Sequence, residues 1–242
     1  MKKIAIVLMA LLVALTACET RVVMEQPGEQ NALSVQGMSE FETAPDLAKV
    51  RFRVETQSLT AKDAQNKARE LANNVAVALA QFGVQKNEVE TTDYRIDRVQ
   101  EWDKNLERMV DRGYRVSNAF VLSTKDLSKV GPLLDVAVQA GANNVESVSF
   151  ELSDAREREV KTEALTRAAE NAREKAQALA NGAAVRLGKV KSVSENSYVA
   201  MPYARYDIMS MKAESSPGMA PTPISPGSVQ VSASVSISYE VA

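Results

Sequence analysis

The sequence contains no histidine in its 242 residues, and its single cysteine is Cys18. Apart from Cys18, whose role is argued below, the chain offers no imidazole and no thiol. This lack excludes Ser-His-Asp and Cys-His nucleophilic centres. It also excludes zinc, haem or iron–sulfur clusters held by His or Cys. Carboxylate, lysine and tyrosine chemistry and oxygen-ligated metals remain, but no sequence signature points to any of them. We therefore predict no catalytic residue, no cofactor and no metal site, and a protein that is not an enzyme.

An excess of charge of either sign is also missing. The chain has 29 basic and 31 acidic residues. Removal of residues 1–17 would take away two lysines and leave 27 basic against 31 acidic residues, a net charge of −4. Nucleic-acid-binding domains usually show a basic face or stripe, and anionic lipid surfaces attract polybasic segments. The charge balance therefore argues against nucleic acid as a partner and against electrostatic membrane binding.

The N-terminus carries the clearest targeting signal. Lys2 and Lys3 precede an uncharged apolar run that extends to Leu15, and Thr16-Ala17-Cys18 follows. The run is shorter than the roughly 20 residues that a bilayer-spanning helix needs, and it ends early for an uncleaved anchor. The segment resembles the bacterial lipobox, in which the chain is cut before a cysteine that becomes acylated. It predicts a signal peptide at residues 1–17, lipid attachment at Cys18 and a tether over residues 18–31.

The lipobox resemblance also bears on location. It implies a protein on the periplasmic side of the cell envelope that is held to a membrane by its lipid. The residue after the cysteine is Glu19. In Gram-negative bacteria an aspartate at this position tends to retain lipoproteins at the inner membrane. The sequence therefore favours the outer membrane over the inner one.

Hydrophobic periodicity predicts an α+β fold. Apolar residues recur at spacings of three and four over residues 60–82, from Thr60 as N-cap to Gly83, and over a long alanine-striped helix from Ser153 to about Ala183. A third helix is predicted at residues 127–140. The predicted strands cover residues 33–43, 50–55, 89–102, 114–122, 145–152, 187–195 and 229–241. The order β-β-α-β-β-α-β-α-β-β indicates largely antiparallel sheets covered by three helices.

Several details of the strands invite specific predictions. Gly37 suggests a β-bulge in the first strand, and the charged residues 103–112 suggest a turn or hairpin loop. Apolar residues on both faces suggest that strand 114–122 is central in a sheet. The long last strand alternates without a break and is expected to bend or to pair with two partners. Residues 197–228, rich in Pro and Met, are predicted to be a long flexible insertion in a domain of residues 32–242.

Five short motifs, in order, resemble the SIMPL-domain family of bacterial envelope proteins. They are Ala44-Pro45-Asp46-Leu47-Ala48, Gly113 to Asn118, Ala140-Gly141-Ala142-Asn143 leading into Val148 to Asp154, Leu187-Gly188-Lys189-Val190, and Ile224-Ser225-Pro226-Gly227. The resemblance covers about residues 32–242. It implies an α+β periplasmic domain in a family that includes immunogenic proteins and proteins linked to oxidative-stress defence, some of which form large ring-like oligomers. It implies no catalytic residues. The chain differs in its lipobox from family members that carry an ordinary cleaved signal peptide instead.

Three groups of residues are candidates for a site, and each has a purely structural interpretation. Asn118, Asn143 and Asn144 could line a site, but such residues more often satisfy turn backbones. Methionines and tyrosines of the insertion could bind Cu(I) or react with oxidants, or could form a flexible contact segment. They are Met201, Met209, Met211 and Met219 with Tyr198, Tyr203 and Tyr206. The serine face of the last strand, Ser232 to Ser238, could be an interface or a plain solvent face.

The favoured function is that of a non-enzymatic envelope lipoprotein of the SIMPL type. It would act by self-assembly as a homo-oligomer or by binding envelope proteins, and would contribute to oxidative or envelope stress tolerance. The alternative is a periplasmic protein that binds a small molecule or metal through the Met/Tyr insertion or a groove between a helix and a sheet. A hydrolase with paired carboxylates has the least support, because no pair of acidic residues is fixed by the pattern.

Overall fold

The computed structural model of the chain describes residues 31–203 and 222–242. Its seven strands form a three-stranded and a four-stranded sheet, both antiparallel, and three α-helices pack on them, which confirms the predicted α+β class and element order. The strands are β1 (Ala32–Thr43), β2 (Leu47–Ser58), β3 (Val89–Asp103), β4 (Arg108–Thr124), β5 (Asn144–Glu151), β6 (Leu187–Tyr203) and β7 (Ser228–Val241). The helices are α1 (Ala61–Gln81), α2 (Val130–Ala140) and α3 (Asp154–Gly182).

Each sheet has its own helices and its own hydrophobic core. The three-stranded unit consists of β1, β7 and β6, in that order, with α3 packed on one face. The four-stranded unit has the order β3-β4-β2-β5 and is covered by α1 and α2. The chain passes between the units through residues 44–46 and again through residues 152 and 153. Both sheets leave their other face open, as antiparallel sheets commonly do.

The strand predictions hold for the most part. β4 lies between β3 and β2, so it is central as predicted. β7 has two partners, but they flank it on both sides along its length rather than following one another. Alternation on β7 is what the sequence predicts: the odd-numbered residues from Val229 to Tyr239 are buried in the core beneath α3.

Two strands extend further than their sequence patterns indicate. β4 begins at Arg108, so the predicted loop at residues 103–112 reduces to a short turn after Asp103. Ion pairs between the two strands, such as Arg112 with Glu101 at 3.2 Å, hold the charged residues in register. β6 continues to Tyr203 along β7, so the first residues of the predicted insertion are strand. Residues 204–221 lie outside the described residues.

Gly37 does not form a bulge, and the prediction that it would is wrong. β1 pairs with β7 without any shift in register. Gly37 instead lies under α3 at the point where the helix comes closest to the sheet. A Cβ atom there would collide with the backbone oxygen of Ala168 and would lie 2.7 Å from Cβ of Ala172. Glycine is needed because the two backbones approach each other directly.

The alanine stripe of α3 makes this approach possible from the other side. Its buried positions are Ala164, Ala168, Ala172, Ala176 and Ala180. Polar side chains then join the helix to the edge of β1. Ser39 Oγ donates to Ala164 O at 2.8 Å, and the Met38 N–H donates to Asn171 Oδ1 at 3.1 Å. α3 therefore both covers the core and satisfies part of an edge strand that would otherwise be open to other chains.

Replacement of Gly37 by Ala tests the close approach. Because the added methyl group has no room against α3, we expect the free energy of unfolding to fall by about 3 kcal/mol. Gly182→Ala is the matched control, since a Cβ there meets nothing within 4 Å, and it should leave stability unchanged or slightly raised. Urea unfolding measures both. Equal stability of the Gly37→Ala variant and the parent would contradict the packing described here.

Candidate interaction surfaces

Three exposed large apolar residues lie near the end of a two-stranded arm. β2 pairs with β4 only as far as the pair Ser58 and Tyr114. Beyond it, β3 and β4 continue as a ribbon that only these two strands form, ending in the turn after Asp103. Gly113 marks the base of the arm with φ +93°, where a Cβ would meet the backbone of Ser58 and Leu59. The chain can therefore leave the sheet at this point only because Gly113 has no side chain.

The arm carries Trp102, Leu106 and Met109 at its end. Their exposed fractions are 59%, 55% and 53%, and Trp102 lies directly opposite Met109 across the ribbon. Directly opposed residues of an antiparallel pair lie on the same face of the ribbon. Three exposed large apolar side chains near one end of a ribbon make this end a candidate interaction site. We call Trp102, Leu106 and Met109 the arm tip.

The sides of the arm are held by charged pairs. Arg98 is bound to Asp111, and Arg112 contacts Glu101 and Asp103. Hydrogen bonds from the Arg98 guanidinium and the Gly113 N–H hold the pKa of the Asp111 carboxyl below its ordinary value. The pairs are exposed, so each adds little to stability. They fix the register of the ribbon and so keep the arm tip residues together.

The serine face of β7 is polar and borders a pocket of about 310 Å³, whose lining includes Ser192, Ser194, Ser236 and Ser238. Ser34 Oγ donates to Ser238 Oγ at 3.2 Å, and Ser197 and Ser234 share a hydrogen bond of 2.8 Å. These hydroxyl groups thus satisfy one another across the strands. Exposed methionines on the flanking strands border the face, Met38 opposite Ser234 and Met201 opposite Gln230. The face is open on the side of the sheet away from α3.

The three asparagines do not form a common site. Asn143 bonds the backbone of Glu55 with both ends of its amide: Oδ1 accepts from the Glu55 N–H at 2.8 Å and Nδ2 donates to Glu55 O at 2.7 Å. Asn144 is the first residue of β5 and pairs with Arg53. The Asn118 Oδ1 atom is buried within β4 and accepts no hydrogen bond from any residue the structure describes. The structural interpretation holds for Asn143, whose side chain bonds backbone groups.

The structure separates the described members of the Met/Tyr group. Tyr198 packs against the core under α3, whereas Met201 lies opposite Gln230 on the open face. Burial raises the pKa of Tyr198, with a further rise from Glu157 that Lys161 partly offsets. Among residues 31–203 and 222–242, no three His, Cys, Asp or Glu side chains are grouped to hold a metal ion. The remaining members, Met209, Met211, Met219 and Tyr206, and the predicted lipid site Cys18 lie outside the described residues.

The junction of the two units brings two family-like motifs together. Asp46, in the first passage between the units, accepts hydrogen bonds from both the N–H and the hydroxyl of Ser153, in the second, at 2.7 and 2.6 Å. The Asp46 N–H in turn donates to Glu151 O at 3.2 Å. Ser153 is the N-cap of α3. Asp46 therefore fixes the start of α3 relative to the first strand of the other unit.

Hydrophobic grooves near these surfaces are small or shallow. A cavity of about 230 Å³ at the junction is lined by Glu151, Leu152, Glu157, Ala200, Pro202 and Val229. A shallower groove of about 490 Å³ lies between β1 and α3. Small-molecule pockets commonly enclose the ligand and present several convergent polar groups. Neither cavity fits that description well. None of the three helices in the described ranges has the length and apolar run required to cross a bilayer.

The sequence patterns do not predict the arm tip. Charged residues dominate residues 103–112 and favour a loop there, and Trp102 ends a strand that is predicted to be polar. A usable signal was present: the only tryptophan of the chain, a leucine and a methionine lie within eight positions of a charged hairpin. No neighbouring segment is amphipathic, so these large apolar residues in a turn have no hydrophobic core in which they could be buried.

Comparison with known proteins places these features in a family. Residues 33–239 match the family model SIMPL, described as a protein of unknown function (DUF541). The 26 kDa periplasmic immunogenic protein of Brucella melitensis is 30% identical over 214 residues, which cover 86% of this chain and 84% of the relative. The uncharacterized protein YggE of Escherichia coli strain K12 is 27% identical over 207 residues, covering 85% and 81%. Neither name is that of an enzyme.

Replacement of Asp46 by Asn tests the junction. Burial alone would raise the pKa of Asp46, but hydrogen bonds from Ser153, helped by Lys125, lower it below 3.8. A carboxyl group with a lowered folded pKa stabilises the fold above its unfolded pKa, and this contribution is lost as the pH falls through the folded value. We expect the stability difference between the parent and Asp46→Asn to be full at pH 6 and to shrink below about pH 4.

Urea unfolding over this pH range measures the difference. Ser153→Ala provides the comparison: it removes the hydroxyl donor to Asp46 and the N-cap of α3 but keeps the Ser153 N–H bond to Asp46. It should lose stability at every pH, with a smaller pH-dependent part than Asp46→Asn. A difference between the parent and Asp46→Asn that stays constant down to pH 3 would show that the Asp46 carboxylate is not held by this junction.

Proposed function

Because the family model covers residues 33–239, the chain belongs to the SIMPL family, and we propose that it is a non-enzymatic lipoprotein of the cell envelope. It acts on the periplasmic side of a membrane by self-assembly or by binding envelope proteins. A periplasmic location is supported by the names of the Brucella relatives, which are called periplasmic proteins. The lipid anchor rests on the sequence around Cys18. A contribution to oxidative or envelope stress tolerance completes the proposal.

The exposed arm tip carries the proposal. Removal of apolar surface from water is favourable by about 25 cal/mol per Å², and tryptophan is among the side chains that dominate protein interfaces. An arm that projects three apolar side chains beyond its sheet contributes nothing to the core of its own unit. Its chemistry suits a protein surface with an apolar recess. The mature chain also has no histidine. The usual nucleophile–base systems need one, so the proposal includes no catalysis of that kind.

Truncation of the arm tip tests self-assembly. In Trp102→Ala/Met109→Ala, the loss of the apolar anchor should raise the concentration at which the assembly half-dissociates by at least about tenfold, or about 1.4 kcal/mol. Sedimentation velocity of the mature chain over a range of concentrations measures this. Val77→Ala, which truncates an equally exposed apolar residue on α1, should leave the midpoint unchanged.

Two results would count against the proposal. One is a parent chain that stays monomeric at every concentration and yields no envelope partner after crosslinking in cells. The other is a parent chain that assembles with the same midpoint as the arm variant. The stress role is tested by survival of a deletion strain under peroxide, complemented with either the parent or the arm variant. Equal survival with both would show that stress tolerance does not depend on the arm tip.

The lipid anchor has its own test at Cys18. With Cys18→Ser, acylation is impossible, and the protein should move from the membrane fraction to the soluble periplasmic fraction of a Gram-negative host. Intact mass of the purified parent should show the lipid on the N-terminal cysteine. Glu19→Asp is the matched variant: it should remain acylated but shift from the outer to the inner membrane. A Cys18→Ser variant that stays with the membrane would contradict the anchor.

A further inference from the structure

The residues just before β7 lie on the other unit. β7 belongs to the three-stranded sheet, but residues 222–227, which lead into it without forming a helix or strand, contact α2 and the core of the four-stranded unit. We call residues 222–227 the strap. Its end is fixed on the three-stranded side, where Ser228 Oγ donates to Glu42 Oε2 at 2.8 Å and Val229 pairs with Thr43. The strap is therefore a third link between the units, in addition to the two chain passages.

One side chain of α2 holds the start of the strap. The Asp135 carboxylate accepts the Thr222 N–H at Oδ2, at 3.0 Å, and the Thr222 hydroxyl at Oδ1, at 2.5 Å. These two bonds hold the pKa of the Asp135 carboxyl below its ordinary value. Hydrogen bonds to an ionised acceptor are stronger than those between neutral groups. Both oxygens of Asp135 are thus engaged by a single residue of the strap.

Gly131, one turn before Asp135 on α2, leaves room for the strap. A Cβ atom on Gly131 would lie 2.2 Å from Thr222 O, and the three atoms nearest to it would all belong to Thr222. Two residues further along the strap, the half-buried Ile224 packs against the core of the four-stranded unit. Because alanine suits a helix better than glycine does, glycine at position 131 is explained by its contact with the strap.

The docked strap is only lightly held. Within the described residues, its attachment consists of the two bonds to Asp135 and the packing of Ile224. The other strap residues are exposed, namely Thr222, Pro223, Ser225, Pro226 and Gly227. Fixing six residues costs conformational entropy of the same order as these few contacts supply. The docked strap and a strap released from α2 therefore lie close in free energy.

We propose that the strap is a conformational latch between the two units. Docked on α2, it fixes the angle between them; released from α2, it lets the units turn about the junction. The bonds between Asp46 and Ser153 attach the units at one place, and a few residues at such a place are enough to act as a hinge. The second attachment at α2 removes this freedom. Because the four-stranded unit carries the arm, docking also sets the direction of the arm tip relative to the start of β1.

A spin label on the strap tests its docking. The mature chain with Cys18→Ser contains no thiol, so Ser225→Cys places a single nitroxide at an exposed strap position. The label should show mainly restricted motion in its electron paramagnetic resonance spectrum. Gly131→Ala closes the room for the strap and Asp135→Ala removes its two bonds, so each should raise the mobile fraction several-fold. Gly182→Ala, where a Cβ meets nothing within 4 Å, should leave the spectrum unchanged.

A pair of labels tests the angle between the units. Val77→Cys on α1 and Glu174→Cys on α3 are exposed positions on different units. Double electron–electron resonance gives the distribution of distances between the two labels, and a large excess of unlabelled chain removes distances between copies. The distribution should be narrow with the strap docked. In Gly131→Ala and Asp135→Ala it should broaden to roughly twice that width, as expected for units free to turn about a hinge.

Either of two results overturns the inference. A Ser225 label that is as mobile without Gly131→Ala or Asp135→Ala as with them would show that the strap does not dock on α2. A strap that both variants release while the distribution of distances between the units stays the same would show that the angle is set elsewhere. Circular dichroism checks that the variants are folded. Since alanine favours the helix at position 131, Gly131→Ala decides the question even if Asp135→Ala does not fold.

Discussion

The close contact between α3 and the three-stranded sheet is the constraint on which the other features depend. Gly37 on the sheet and alanines on the helix bring two backbones together without intervening side chains. This distance lets Ser39, Asn171 and Lys175 bond the helix to β1. A shallow groove lined by Ala178 and Leu179 lies beside the start of β1. Larger side chains on this face of α3 would hold the helix further from the sheet. The helix could then neither pack as closely on the core nor hydrogen-bond the edge strand β1.

The two units carry different surfaces. The three-stranded unit follows the predicted tether, carries the serine face and holds the groove beside α3. The four-stranded unit provides the arm and its exposed tip. Asp46 and Ser153 join the two at the start of α3, so the placement of the groove and the direction of the arm both depend on one short hydrogen-bonded junction.

Much of the fold follows from the sequence because its patterns are local. The alternation of β7 and the stripes of α1 and α3 each indicate a face that must be buried. The structure confirms the alternation and most of both stripes, but Phe82 and Leu179, which the spacing places on these stripes, are exposed. The role of Gly37 could not be predicted in this way, because the collision it avoids is with residues more than 130 positions away. The extent of β6 was hidden by Met201 and Pro202, which match no strand pattern but are paired with β7.

The candidate site was harder to predict than the fold. The motifs around Asp46 and Ser153 were visible as a family resemblance, but their meeting depends on how the two sheets are placed. Trp102, Leu106 and Met109 lie in a charged stretch that shows no hydrophobic periodicity. These residues stand out because they are exposed, and the exposure of a side chain cannot be read directly from a sequence. Asn143, by contrast, follows ordinary backbone chemistry.

Trp102 is the only tryptophan of the chain, so its fluorescence reports on the arm tip alone. The most direct measurement is its emission and its quenching by acrylamide as the mature chain is concentrated through the range where larger species form. Burial of the arm tip on assembly predicts a shift of the emission to shorter wavelength and a several-fold fall in quenching, both following the formation of the larger species. Emission and quenching that stay those of an exposed tryptophan while the chain assembles would contradict the account.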